Sequence, residues 1–242
     1  LCNEHGEGVV DGLARLHPLY VPVLMVTTIV MGHIYGSYAA VGLGETWVRL
    51  TGFGETWQWA MMWTAVALAL VVRPKYRRVE VVFKLMLGLL TVTFVATALW
   101  SKPSPTGILR GAIGFALPEK EGVFDSLLLA VSMMGAVGGS LSNLIYPYFI
   151  EQKGWRGPKY RRVQTYDFLL AIFVMIVINL SVWTLGAELV YRTPGNIENL
   201  SDLTHLLSEV MGPGGRMLFL LGVFAAVFTS VIGNAVGLAF LA

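Results

Sequence analysis

Six long apolar stretches dominate this sequence and restrict what it can fold into. Crossing about 30 Å of hydrocarbon takes roughly 20 helical residues at ~1.5 Å of rise per residue. Lipid offers no hydrogen-bond partners to the backbone, so such runs satisfy their own polar groups by forming helices. The sequence therefore predicts an all-α polytopic membrane protein with about six transmembrane helices. The predicted spans are 20–43, 57–72, 79–99, 124–149, 166–190 and 213–240.

Composition agrees with a membrane protein and excludes several other classes. Hydrophobic residues make up 55% of the chain and charged residues only 13%, whereas soluble domains carry about 25% charged residues. The net charge of +2 is too small to indicate a nucleic-acid partner, so the lipid bilayer is the expected environment. A lone cysteine, Cys2, excludes an internal disulfide framework. The chain lacks an initiator Met and a signal peptide, and it ends beside an apolar run. We therefore expect a fragment of a longer protein.

Basic residues concentrate in two connections, at 73–78 and 151–165. Two predicted spans separate these loops, so both fall on the same side of the membrane. The positive-inside rule makes that side the cytoplasm, and we expect a plasma (inner) membrane location. The loop 101–123 is of mixed charge and the loop 188–212 is net acidic, so both are predicted to face outward.

The fourth span contains an unusual run of small and polar residues between Met134 and Asn143. Glycine costs about 1 kcal/mol relative to alanine inside a helix, and serine and asparagine compete for backbone hydrogen bonds. These residues favour a break into two half-helices, whose free carbonyls bind ions in transporters. Close packing of a neighbouring helix against the small residues explains the run equally well. The glycines at issue are Gly135, Gly138 and Gly139.

Three other polar residues lie at membrane depth. His33 is an ionisable residue inside the first span and is a functional candidate facing the bundle interior. A neutral histidine hydrogen-bonded to a neighbouring helix is an equally good interpretation. No second ligand shares its helix face, so it is not predicted to be a metal site. Asn179 and Asn234 are better explained by interhelical hydrogen bonds worth about 0.6 kcal/mol each.

Charged residues near the ends of the spans are predicted to pair with neighbours. Glu80 and Lys84 are four residues apart on one helix face. Asp167 is expected to reach the interface or to pair with Arg161 or Arg162. The sequence contains no Ser-His-Asp set, phosphate loop or His-Glu-x-x-His pattern, so an enzyme is not predicted.

Short motifs follow one another in a definite order along the chain and resemble the Nramp family of divalent-metal transporters. Those similar to the family's fifth and sixth helices are Tyr76-Arg-Arg-Val-Glu80, Ile108-Leu-Arg-Gly111, Leu127 to Leu129, Gly135-Ala136 and Asn143-Leu144. Those similar to its seventh and eighth helices are the cytoplasmic turn before Asp167, Asn179 in the next span, and Phe228-Thr-Ser230 to Gly233. The resemblance implies the third to eighth helices of a LeuT-type inverted-repeat transporter with eleven or twelve helices. The family's D-P-G-N motif on the first helix does not occur in these residues.

The resemblance also implies a metal site in the fourth span, in altered form. Where the family has A-x-x-M-P-H-N, alignment on Asn143 puts Val137 first, Ser140 in place of the methionine and Ser142 in place of the histidine. A thioether is a soft ligand, whereas hydroxyl and carbonyl oxygens are hard. The acidic pair expected on the third helix falls in 32–38, which has no carboxylate. These departures resemble the Nramp-related branch that carries Mg²⁺ without proton coupling.

We therefore predict a secondary transporter that moves a divalent cation of the Mg or Mn class by alternating access. The cation is the substrate, and no cofactor is expected. The predicted metal-site residues are Val137, Ser140, Ser142 and Asn143, with possible support from His33, Asn179 and Asn234. Two alternatives stay open. One is an amino-acid or organic-solute carrier of the same fold, with a half-helix N-terminus holding a carboxylate. The other is a non-transporting membrane subunit whose glycines only pack helices.

Overall fold

The chain is helical throughout the part described by a computed structural model, which covers residues 8–72, 76–114, 127–128, 131–132, 141–155, 157–189 and 200–241. No strand occurs in these ranges. A short 3₁₀ turn, Pro158–Tyr160, precedes α7. The helices are α1 (Val9–Leu16), α2 (Tyr20–Thr51), α3 (Thr56–Val72), α4 (Tyr76–Trp100), α5 (Pro105–Gly114), α6 (Leu141–Gln152), α7 (Arg161–Leu189) and α8 (Leu200–Leu241).

Four described helices, α2, α4, α7 and α8, contain segments long and apolar enough to cross a membrane, and α3 is a shorter apolar helix. The predicted fold class, an all-α polytopic membrane protein, is confirmed. The predicted span 124–149 lies partly outside the described residues, and α6 covers its last part. The candidate membrane segments are Tyr20–Thr51, Arg78–Trp100, Pro158–Glu188 and Asp202–Ala239.

Helix α2 continues beyond the predicted end of the first span at residue 43. It ends at Thr51 because Gly52 adopts a left-handed conformation, with φ of 74°, and donates its N–H to the Val48 carbonyl at 2.8 Å. Glycine is the usual residue at such a C-terminal cap, since it carries no Cβ to clash. The helix is therefore longer than its apolar segment, and its last turns extend beyond the residues predicted to cross the hydrocarbon.

Helix α8 is the axis of the described bundle. It is interrupted at Gly212, where φ is 71° and ψ is −175°, and Pro213 follows. Proline suits the first turn of a helix, so a second helical piece begins there. Half of the most apolar stretch of α8 is buried, compared with 6% for α7. Helices α2, α3, α4 and α6 all pack against it.

Helices α2 and α8 run antiparallel in close contact. A Cβ atom added at Gly32 would lie 2.7 Å from the Leu238 side chain, and one added at Gly42 would lie 3.4 Å from Val227. Since lipid is as apolar as the side chains, membrane helices associate through such close packing rather than through hydrophobic burial. The glycines of α2 therefore allow this helix to pack closely against α8.

An aromatic cluster joins α2, α3 and α8. Trp47 and Trp63 stack with ring centroids 5.0 Å apart, and Trp63 lies 4.8 Å from Phe224. Phe224 in turn stacks on Phe228 at 5.5 Å. Each aromatic pair contributes about 0.5–1.5 kcal/mol beyond the area that it buries. The cluster fixes how the three helices sit against one another.

Arg216 links α8 to the last turn of α2. Its Nη2 donates to the Arg49 carbonyl at 3.1 Å, and a cation at a helix C-terminus is favoured by the helix dipole. We expect Arg216→Met to lower the free energy of unfolding by about 1.5 kcal/mol, because a hydrogen bond from a charged donor is lost. Thermal unfolding in detergent measures this. The exposed neighbour Met217 provides the control Met217→Leu, and equal melting of the two variants would contradict the prediction.

Candidate functional site

The segment predicted to bind the ion is described only at its flanks. Residues 127–128 and 131–132 are helical, and α6 begins at Leu141. The backbone of Ser142 and Asn143 lies in the first turn of α6, but their side chains lie outside the described part. Val137, Ser140 and the glycines Gly135, Gly138 and Gly139 also lie outside it. Their predicted roles therefore stay predictions.

Pro147 lies inside α6 and alters its hydrogen bonding. In an α-helix each N–H bonds the carbonyl four residues earlier, and proline has no N–H. The carbonyl of Asn143 therefore lacks its regular helical donor. The backbone oxygen of one predicted ligand residue is thus available to another hydrogen-bond donor or to a cation.

Helix α6 is anchored on the axis just after Asn143. Ile145 is only 2% exposed and belongs to a buried cluster with Phe228 and Ile232 of α8 and Val79 of α4. A buried side chain of this size makes many dispersion contacts and is costly to displace. The start of α6 is therefore held in register with α8.

The other end of α6 is tied to α7 through Asp167. Its Oδ1 lies 3.4 Å from Nζ of Lys153, and its Oδ2 accepts a long hydrogen bond of 3.5 Å from Oη of Tyr146. The expectation of a partner at Arg161 or Arg162 is wrong, because the carboxylate faces α6 rather than the first turn of its own helix. Sequence spacing does not reveal a pair 14 residues apart that is joined by a turn. The expected Glu80–Lys84 ion pair does form, at 2.9 Å.

The structure does not bring the three supporting candidates together. His33 on α2 and Asn179 on α7 have exposed side chains, and Asn234 on α8 is half-buried. Gly32, the neighbour of His33, occupies the face of α2 that meets Leu238. No group of three or more His, Cys, Asp or Glu side chains suited to a metal lies within the described ranges. The functional roles of the three candidates stay predictions.

Comparison with known proteins relates nearly the whole chain to one family. Residues 15–242 match the model described as natural resistance-associated macrophage protein-like, Nramp. The divalent metal cation transporter MntH of Pediococcus pentosaceus is 24% identical over 180 residues, which is 68% of this chain and 39% of that protein. The natural resistance-associated macrophage protein 2 homolog of Dictyostelium discoideum is 26% identical over 166 residues, 64% of this chain and 25% of that protein. This chain belongs to the Nramp family.

Proposed function

We propose that this chain is part of a secondary transporter that moves a divalent metal cation across a membrane by alternating access. The observation that carries the proposal is the family match over residues 15–242, which includes the entire segment 134–147. One relative is named a divalent metal cation transporter. The matched regions cover only 39% and 25% of the two relatives, so the activity is proposed for the full-length protein.

The chemistry of the proposed site favours a hard cation. Val137, Ser140, Ser142 and Asn143 offer carbonyl, hydroxyl and amide oxygens and no sulfur. Oxygen donors suit Mg²⁺, which also keeps several of its waters, whereas a thioether suits softer transition metals. The Asn143 carbonyl that Pro147 leaves without a helical donor adds one more oxygen. We therefore propose Mg²⁺ ahead of Mn²⁺ as the cargo.

Uptake into proteoliposomes containing the full-length protein tests this proposal. We expect Mg²⁺ to enter without acidification of the lumen, because residues 32–38 contain no carboxylate that could accept and release a co-transported proton. The same vesicles without protein give the background. Strong Mn²⁺-driven acidification with no Mg²⁺ flux would refute the proposed cargo.

We further propose that loops 73–78 and 151–165 face the cytoplasm of a plasma-membrane protein, on the basis of their basic residues. Cysteine labelling on intact cells tests this orientation, after Cys2 and every cysteine of the full-length protein outside these 242 residues are replaced by serine. A membrane-impermeant maleimide is expected to label Thr106→Cys in α5 and to leave Lys159→Cys unlabelled until the cells are opened. Both positions are exposed, so burial does not confound the comparison. The reverse pattern would invert the topology.

A further inference from the structure

The turn between α6 and α7 is closed by a regular helix-capping motif. Gly154 has φ of 72° and donates its N–H to the backbone carbonyl of Glu151 at 2.9 Å, while the N–H of Trp155 donates to the Ile150 carbonyl at 3.1 Å. This pair of bonds is a Schellman motif, which satisfies the last carbonyls of a helix and sets the direction in which the chain leaves it. The turn therefore has a defined geometry.

Side chains of α7 then hold this turn. Nε2 of Gln164 donates to the Trp155 carbonyl at 2.8 Å. Nζ of Lys153 lies 4.4 Å from the centre of the Trp155 ring while it faces the carboxylate of Asp167. The ammonium and the carboxylate are only 21% and 34% exposed, so water screens their attraction less than it would at an open surface. We call Tyr146, Lys153, Trp155, Gln164 and Asp167 the α6–α7 clasp.

Asp167 bonds one residue before the proline of α6 and one residue just past the end of that helix. Tyr146 immediately precedes Pro147, and Lys153 follows it by six residues. A proline inside a helix lets the helix bend, because one backbone hydrogen bond is missing. A single carboxylate that holds one group before Pro147 and one after it restrains how far the helix bends there. The backbone of Ser142 and Asn143 lies within one turn before Tyr146, so its direction depends on that bend.

We propose that Asp167 is a positioning residue that sets the angle of α6 at Pro147, and through it the orientation of the Ser142–Asn143 turn toward the transported cation. Asp167 itself lies on α7, and in this role it bonds Tyr146 of α6 and Lys153, the first residue after α6. The proposal rests on the proposed function, since the cation site is assigned there. It adds a residue outside the fourth span to the determinants of cation affinity.

Transport kinetics of Asp167→Asn in the full-length protein test the proposal. We expect the KM for Mg²⁺ to rise about fivefold, because the loss of a charged hydrogen bond lets the kink relax. A loss of folded protein alone would lower the maximal rate and leave KM unchanged. Asp167→Glu keeps the charge and is expected to restore KM to within twofold of the parent. A KM for Asp167→Asn equal to that of the parent would overturn the proposal.

The Glu80–Lys84 pair provides the matched control. It is also an ion pair, but both partners lie on α4, so it cannot fix an angle between helices. Glu80→Gln is expected to leave KM unchanged. If Glu80→Gln raises KM as much as Asp167→Asn does, loss of any surface charge explains the effect, and the proposal is overturned.

A double-variant cycle on thermal stability separates failure of this proposal from failure of the proposed function. Lys153→Met and Asp167→Asn are combined in detergent, without any transport measurement. Contacting partners are expected to show a combined loss smaller than the sum of the single losses. Additive losses would overturn the clasp even if Mg²⁺ is transported. If the losses are coupled but the full-length protein transports no divalent cation, the contact between Lys153 and Asp167 is real. The positioning role of Asp167 and the proposed function are then both overturned.

Discussion

Replacing Ser140 with methionine is expected to reduce Mg²⁺ uptake by about tenfold while raising uptake of softer ions such as Mn²⁺ or Cd²⁺. The physical reason is ligand type, because a thioether binds soft transition metals and is a poor ligand for a hard cation. A loss of about 1.4 kcal/mol in cation binding corresponds to a tenfold change. Parallel uptake of the three ions in proteoliposomes measures the effect.

Ser132 provides the control for this substitution. It lies eight residues earlier in the same predicted span, its side chain is exposed, and its hydroxyl donates to the Leu128 carbonyl at 2.7 Å. Ser132→Met is therefore expected to keep the ion preference of the parent. If Ser140→Met leaves the ratio of Mg²⁺ to Mn²⁺ uptake unchanged, residue 140 is not a ligand in the transport cycle.

Gly44→Ala is expected to lower the free energy of unfolding by about 3 kcal/mol, a large loss for one methyl group. Gly44 lies on α2 and is buried against the first residue of α3, Thr56. A Cβ added at Gly44 would collide with the backbone carbonyl of Thr56. A backbone atom at a helix start cannot rotate away as a side-chain tip can, so the two helices have to separate. Thermal unfolding in detergent measures the loss.

Gly36 on the same helix is the matched control. Apart from its chain neighbours and the backbone of its own helix turn, no atom in the described part of the chain lies within 4 Å of a Cβ added there. Gly36→Ala is expected to be neutral or to stabilise by up to about 1 kcal/mol, because alanine has the higher helix propensity. Equal melting temperatures for the two alanine variants would show that the α2–α3 contact at Gly44 does not limit stability.

The long apolar helices were predictable because hydrocarbon thickness imposes a length that the sequence displays directly. The second piece of α8 starts at Pro213, where the last predicted span starts, since glycine followed by proline interrupts a helix and begins another. The extension of α2 to Thr51 was not predictable from hydropathy. Its last turns carry Glu45 and Arg49, and they are stabilised by the Gly52 cap and by the contact from Arg216.

Less of the candidate site could be predicted from the residues alone. The run around Gly138 favours a helix break and close packing equally, and only the family resemblance distinguishes them. The link from Asp167 to Tyr146 and Lys153 depends on how a turn folds two helices together, which hydrophobic periodicity does not encode. Its one visible trace in the sequence is an acidic residue at the start of a span beside a basic loop.

The central place of α8 has a consequence for how the protein is made. The helix against which α2, α3 and α4 pack is the last one in the described chain. At roughly 5–20 residues per second, the ~185 residues between Gly42 and its neighbour Val227 take about 10 to 40 s to synthesise. During that time the close-packing glycines of α2 face lipid or an insertion factor instead of their native neighbour. During biogenesis the early helices therefore exist for tens of seconds without α8. Over that interval their own hydrophobicity has to keep them in the membrane.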